Sequence, residues 1–178
     1  MKIGEAELAN LFPFILALVN LIRLFFISAG LSGKDIEKPR NKGGRVRMEK
    51  IKKALAQDRF ALETVGVELM EITPGQAKVK MEIRPKHLNG LGTVQGGALF
   101  TLADMALASA SNSHGTVAVL VNASIAYFKA VSQGVLYAEA REESLKNKLA
   151  TYTVRVTDGE QELIALMQAT VYRKKELL

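Results

Sequence analysis

The segment Ala98 to Ser111, ALFTLADMALASAS, is apolar nearly all round and contains no β-branched run. It reads as a helix, and a helix without a polar face must be wrapped by other structure. Strand candidates flank it on both sides. Before it, Thr64 to Thr73 alternates Val65, Val67 and Leu69 with polar neighbours, and Pro74-Gly75 makes a turn. Ala77, Val79, Met81 and Ile83 then alternate with Lys78, Lys80, Glu82 and Arg84, which predicts a hairpin with one wet face. After it, Val117 to Ala130, Val135 to Ser144, Lys148 to Thr157 and Glu162 to Lys174 read as four strands. Turns at Gln133-Gly134, Lys146-Asn147 and Asp158-Gly159 separate them, and the three joins are short enough for antiparallel neighbours. A short amphipathic helix over Met48 to Asp58, with Ile51, Ala54 and Leu55 on one side, precedes everything. The order of helix, two strands, buried helix and four strands lacks the alternation of a parallel sheet, so the expected fold is α+β, one antiparallel sheet curled around the central helix.

These elements occupy residues 48–178, one domain, and the 47 residues before them differ in kind. Leu11 to Leu31 (LFPFILALVNLIRLFFISAGL) is long enough to span a bilayer, although Asn20 and Arg23 sit near its middle and Pro13 near its start. Behind it, Gly30, Gly33, Pro39, Gly43 and Gly44 alternate with Lys34, Lys38, Arg40, Lys42, Arg45 and Arg47, a flexible basic linker. Two readings stand: a membrane anchor whose basic flank keeps the domain in the cytoplasm, or an extension created by a start codon placed ahead of Met48. Of the formal net charge of +6, residues 1–47 carry +4 and residues 48–178 only +2. The excess of cations therefore belongs to the leader and argues against nucleic acid as a partner of the domain. Zero Cys excludes disulfides, thiolate metal sites and a cysteine nucleophile, and two isolated His do not make a metal site.

The residues that carry chemistry lie in His87 to Asp104, HLNGLGTVQGGALFTLAD. Gly96-Gly97 opens the buried helix, where the first N–H groups have no intrahelical acceptor and sit at the positive end of the helix dipole, a preformed site for an anion or oxyanion. The alternative is a turn that merely needs glycine. Asp104, flanked by Phe100, Leu102, Met105 and Leu107, has no cationic partner on its own face. It reads either as a hydrogen-bond acceptor across a packing contact or as a catalytic carboxylate poised by desolvation, and the second is favoured. Gly96 and Asp104 are eight residues apart, about 12 Å along a helix, too far to grip one carbonyl. If both act on one reacting centre, Gly96 of one chain must meet Asp104 of another, which predicts a dimer or tetramer with sites at the interface.

This stretch, followed by ASNSHG and four strands, resembles the hotdog-fold acyl-CoA thioesterases of the PaaI-like, phenylacetate-pathway group, over Met48 to about Arg173. The resemblance implies hydrolysis of an acyl-CoA thioester without metal or redox cofactor. It implies that Asp104 activates water or attacks the thioester carbon, that Gly96 N–H polarises the carbonyl, and that Asn89 orients water or substrate. Gln95 stands where the family usually has His and cannot take up a proton near neutral pH. Leu120 stands where some relatives carry Ser; Asn122 and Ser124, reached by two-residue steps, share its face and are the available replacements. Gln95, Gly97, His87 and Asn122 are thus expected on the substrate side, with His87 weighted towards bracing the loop and His114 towards a surface turn. Lys129, Arg141, Lys146, Lys148 and Arg173 are cations within reach of coenzyme A phosphates, or simply a solvated face. A non-catalytic acyl-CoA sensor is the alternative that the missing His favours, and a hotdog dehydratase would need that His.

Overall fold

The computed structural model describes residues 42–178. Helix α1 (Lys42–Leu55) leads into one turn of π-helix (Phe60–Val65), strand β1 (Val67–Thr73) and strand β2 (Gln76–Glu82). A single 3-10 turn (Pro85–His87) and a loop precede helix α2 (Gly96–Asn112), and β3 (Thr116–Tyr127), β4 (Val135–Leu145), β5 (Leu149–Thr157) and β6 (Leu163–Leu177) complete the chain. All strand pairs are antiparallel, in the order β1-β2-β4-β5-β6-β3. This is the hotdog arrangement, one sheet wrapped on one long helix.

The strand expected from Thr64 begins at Val67. Asp58 Oδ1 accepts the Ala61 N–H at 2.9 Å and Arg59 pairs with Glu63 one turn on, so the segment coils instead. Gly66, at φ +81°, then turns the chain into β1, a conformation that a side chain would resist.

The join from β3 to β4 does not make antiparallel neighbours. β3 lies at the far edge against β6, and β4 enters between β2 and β5. Residues 128–134 cross from one to the other with their backbone satisfied on the way: Phe128 N–H donates to Ile164 C=O at 2.8 Å, Val131 C=O accepts from Val94 N–H at 2.8 Å, and Gly134 C=O from Ile83 N–H at 2.9 Å.

The core lies between α2 and the inner face of the sheet. Leu99, Leu102, Met105, Leu107 and the alanines 103, 106 and 110 pack against Val79, Met81, Leu136, Val154, Val156, Met167 and Val171, and small Ala138, Ala165 and Ala169 let helix and sheet approach closely. The helix is fastened at its C-terminal end. Asn112 Oδ1 accepts the Ala118 N–H at 2.9 Å while its Nδ2 donates to the Ala118 carbonyl at 3.2 Å, and Ser113 Oγ accepts the Gly75 N–H at 2.7 Å. β3 therefore runs back along α2, with Ala118 beside the helix end and Tyr127 beside its start.

The wrapping is incomplete. Gly97, Thr101, Asp104 and Ala108, spaced four, three and four, form a helix stripe that the sheet leaves partly exposed. Among the described residues no helix is long and apolar enough to cross a membrane; the apolar run from Leu11 to Leu31 lies outside them.

Candidate active site

Gln95 ends the loop in an extended conformation and caps α2: its Oε1 accepts the Ala98 N–H at 3.2 Å, and its backbone carbonyl accepts from Ala98 and Leu99. The cap leaves its Nε2 group and, among the described residues, the N–H groups of Gly96 and Gly97 without an acceptor. Three donors thus face outward at the positive end of a seventeen-residue helix.

Asp104 lies two turns on, along the same open stripe as Gly97. Burial pushes its carboxyl above the usual carboxylate range, and the negative charge of Asp58 adds to the effect. Among the described residues it forms no ion pair and accepts no hydrogen bond. A carboxylate so placed is a stronger base than one in water, and nothing in its own chain offsets the cost of burying it.

Asn89 is turned inward on its own loop. Its Oδ1 accepts from Leu91 N–H at 2.9 Å and Thr93 N–H at 3.2 Å, and its Nδ2 donates to Thr93 Oγ1 at 3.0 Å. Both lone-pair directions of the oxygen are used, so one N–H remains for a ligand. Thr93, which the sequence reading passed over, is thus the other half of this brace. His87 is buried: Nδ1 accepts the Arg84 N–H at 3.0 Å, which places the ring proton on Nε2, directed towards the Val65 carbonyl without reaching hydrogen-bonding geometry. Desolvation lowers its pKa. The ring braces the loop against the chain just after β2 through the Arg84 N–H.

Asn122 lies on the sheet face turned away from α2, not on the face it was expected to share with Leu120. A bulge between Leu120 and Asn122 inserts one residue: Leu120 pairs with buried Val171, but Asn122 pairs with Thr170 and Ser124 with Gln168, between the core-facing positions Ala169 and Met167. Directly opposite residues share a face, so Asn122 and Ser124 point away from α2 and the two-residue parity breaks at the extra residue. His114 is likewise no free surface residue. Its Nε2 lies 2.7 Å from Glu142 Oε2, which also accepts the Tyr152 hydroxyl at 2.6 Å. Burial and Glu142 together push the Tyr152 phenol far above its usual range. Of the cations considered for phosphates, Lys129 pairs with Glu162 and Asp158, and Arg173 Nη1 donates to the Lys146 carbonyl.

Tyr127 is the neighbour that sequence reasoning missed. Its hydroxyl donates to the Gly96 carbonyl at 3.0 Å from a strand 31 positions later.

A helix N-terminus with free donors and a desolvated carboxylate on the same stripe matches acyl transfer chemistry, and the comparisons agree. Residues 91–165, which include both features, match the model of the thioesterase superfamily. The phenylacetic acid degradation protein PaaI of Thermus thermophilus is 38% identical, aligned over 64% of this chain and 97% of that one at a TM-score of 0.61. The chain belongs to the thioesterase superfamily. Within the superfamily, the acyl-coenzyme A thioesterase PaaI of Escherichia coli is 28% identical over 67% of this chain and 86% of its own length. A Streptococcus mutans protein solved bound to acetyl CoA is 26% identical, covering 63% of this chain and 91% of that one at a TM-score of 0.61. A groove of about 530 Å³, lined by Lys78, Glu139, Arg141 and Arg155, lies on the face of the sheet opposite α2.

Proposed function

We propose that the chain hydrolyses an acyl-CoA thioester to a free acid and CoA, and that two chains build each active site. The observation that carries this is Asp104, desolvated and unpaired, on the helix stripe that starts at the unclaimed N–H groups of Gly96 and Gly97. The glycine donors polarise the thioester carbonyl and stabilise the oxyanion. Ionised Asp104 accepts a proton as water oxygen bonds to the carbonyl carbon; collapse of the oxyanion breaks the C–S bond, and the proton passes to the leaving thiolate. The names of the Escherichia coli PaaI and of the Streptococcus mutans protein bound to acetyl CoA support coenzyme A thioesters as the substrate class.

The two-chain site follows from distance. Gly96 and Asp104, both on α2, are separated by about 12 Å of helix, so one carbonyl meets both only when a second chain supplies one of them. β3 supports such pairing: it is an edge strand whose outer side has no partner among the described residues, and it exposes Val119, Leu120 and Val121.

The test is thiol release from a panel of aryl and aliphatic acyl-CoAs by wild type and Asp104→Ala. Hydrolysis by wild type and a loss of about 100-fold or more in the variant are expected. Wild-type rates in the variant overturn the role of Asp104. Tight binding by wild type without thiol release would make the site a sensor instead, the reading that Gln95 in place of a proton carrier favours.

A further inference from the structure

Tyr127 closes β3 at the end of the sheet where α2 begins. It pairs with Ala165, which is fully buried, so its ring lies on the helix side. The strand is clamped directly afterwards, where the Phe128 and Lys129 N–H groups both donate to the Ile164 carbonyl. From this position the Tyr127 hydroxyl donates to the Gly96 carbonyl at 3.0 Å. The ring also fills the space that a side chain at position 96 would need: a Cβ there would lie 3.2 Å from the phenolic oxygen and 3.3 Å from Cζ. A side chain at position 96 would have to push the Tyr127 ring aside by a few tenths of an ångström.

The consequence reaches the donors. The Gly96 carbonyl and the Gly97 N–H belong to one planar peptide and point in opposite directions, so holding the oxygen aims the hydrogen. The ring stands beside Gly96 on the side where a Cβ would project, which limits how far the Gly96 backbone can turn. Two consecutive glycines have no side chains with which to restrain themselves. A second donor on a carbonyl already engaged in the helix also polarises its peptide and makes the Gly97 N–H a stronger donor.

We propose that Tyr127 is a positioning residue for the carbonyl-binding donors: its hydroxyl and ring hold the Gly96–Gly97 backbone in the orientation that stabilises the oxyanion. This rests on the reading of the α2 N-terminus as the oxyanion site.

The test is Tyr127→Phe, with steady-state kinetics on the preferred acyl-CoA, Asp104→Asn assayed in parallel, and thermal unfolding of each. Loss of the hydroxyl should lower kcat about tenfold and leave KM within about twofold, because the donors are misaimed for the oxyanion but substrate still binds. Unchanged kcat, or a raised KM at unchanged kcat, overturns the proposal. Should Tyr127→Phe fail to fold, 3-fluorotyrosine at position 127 keeps the shape and strengthens the donor. An increase in kcat at constant KM then supports the proposal, and unchanged kcat overturns it. The two readings fail separately: full activity in Asp104→Asn removes the hydrolytic site itself, whereas an inactive Asp104→Asn beside a wild-type-like Tyr127→Phe removes only the role of Tyr127.

Discussion

Ionised Asp104 makes the fold less stable. Burial and the charge of Asp58 raise its pKa, so the folded chain holds the proton more tightly than the unfolded chain. Between the ordinary aspartate pKa and the raised one the native state binds more protons, so stability falls as pH rises through that window. The ionised fraction that the proposed mechanism uses rises through the same window. Asp104→Asn should therefore abolish hydrolysis yet raise the melting temperature near neutral pH, with the gain vanishing at acidic pH; calorimetry across pH measures both limbs, and an unchanged or lowered melting temperature at neutral pH would contradict the cost assigned to burial. Gln95 gives a second test. Wild type should show one ascending acid limb in kcat/KM, and Gln95→His should add an inflection near the imidazole value of about 6.5. Asp104 was legible in the sequence because a charge inside an apolar helix is conspicuous. Tyr127 was not, since an aromatic at a strand end is ordinary and its partner is 31 positions away.

At the scale of elements, two asparagines, one at the end of α2 and one within β3, show what sequence reveals and what it hides. Asn112 fastens the end of the helix to β3 through both polar groups of Ala118. Asn122 sits on the outer face because one extra residue, Val121, is inserted into the strand. Asn112→Ala strands a backbone donor and acceptor and should cost about 1–3 kcal/mol, read as a lower urea midpoint. Asn122→Ala should stay within about 0.5 kcal/mol of wild type and leave kcat/KM unchanged; a large loss of activity there would mean that the outer face meets the substrate. Helix, glycine loop and hairpin were legible from periodicity, since each is a local pattern. The bulge was not, because alternation before and after it looks continuous. Nor was the place of β3 beside β6, because strand order is set by which faces must cover the helix rather than by the length of the join.

For the whole molecule, the open stripe on α2 and the free edge of β3 belong to one problem. A single chain leaves its carboxylate half-buried and its helix-start donors and an apolar strand edge open, and a second copy paired along β3 would cover all of them. Complementation tests this without any structure of the assembly. Asp104→Ala removes the base. Gly96→Pro removes the N–H at the first helical position; Gln95 already has the extended backbone that precedes proline, and the proline Cβ also pushes on the Tyr127 ring, so the variant disturbs that contact together with the donor. Each variant alone should be nearly inactive. In a mixture unfolded and refolded together at equal concentrations, about half of the dimers carry one chain of each kind, and one of the two sites in such a dimer combines an intact Gly96 with an intact Asp104. Activity should therefore return to about a quarter of the wild-type value for dimers that assort at random. If Gly96 and Asp104 of the same chain served one site, every chain in the mixture would carry a defect in its own site and no activity would return.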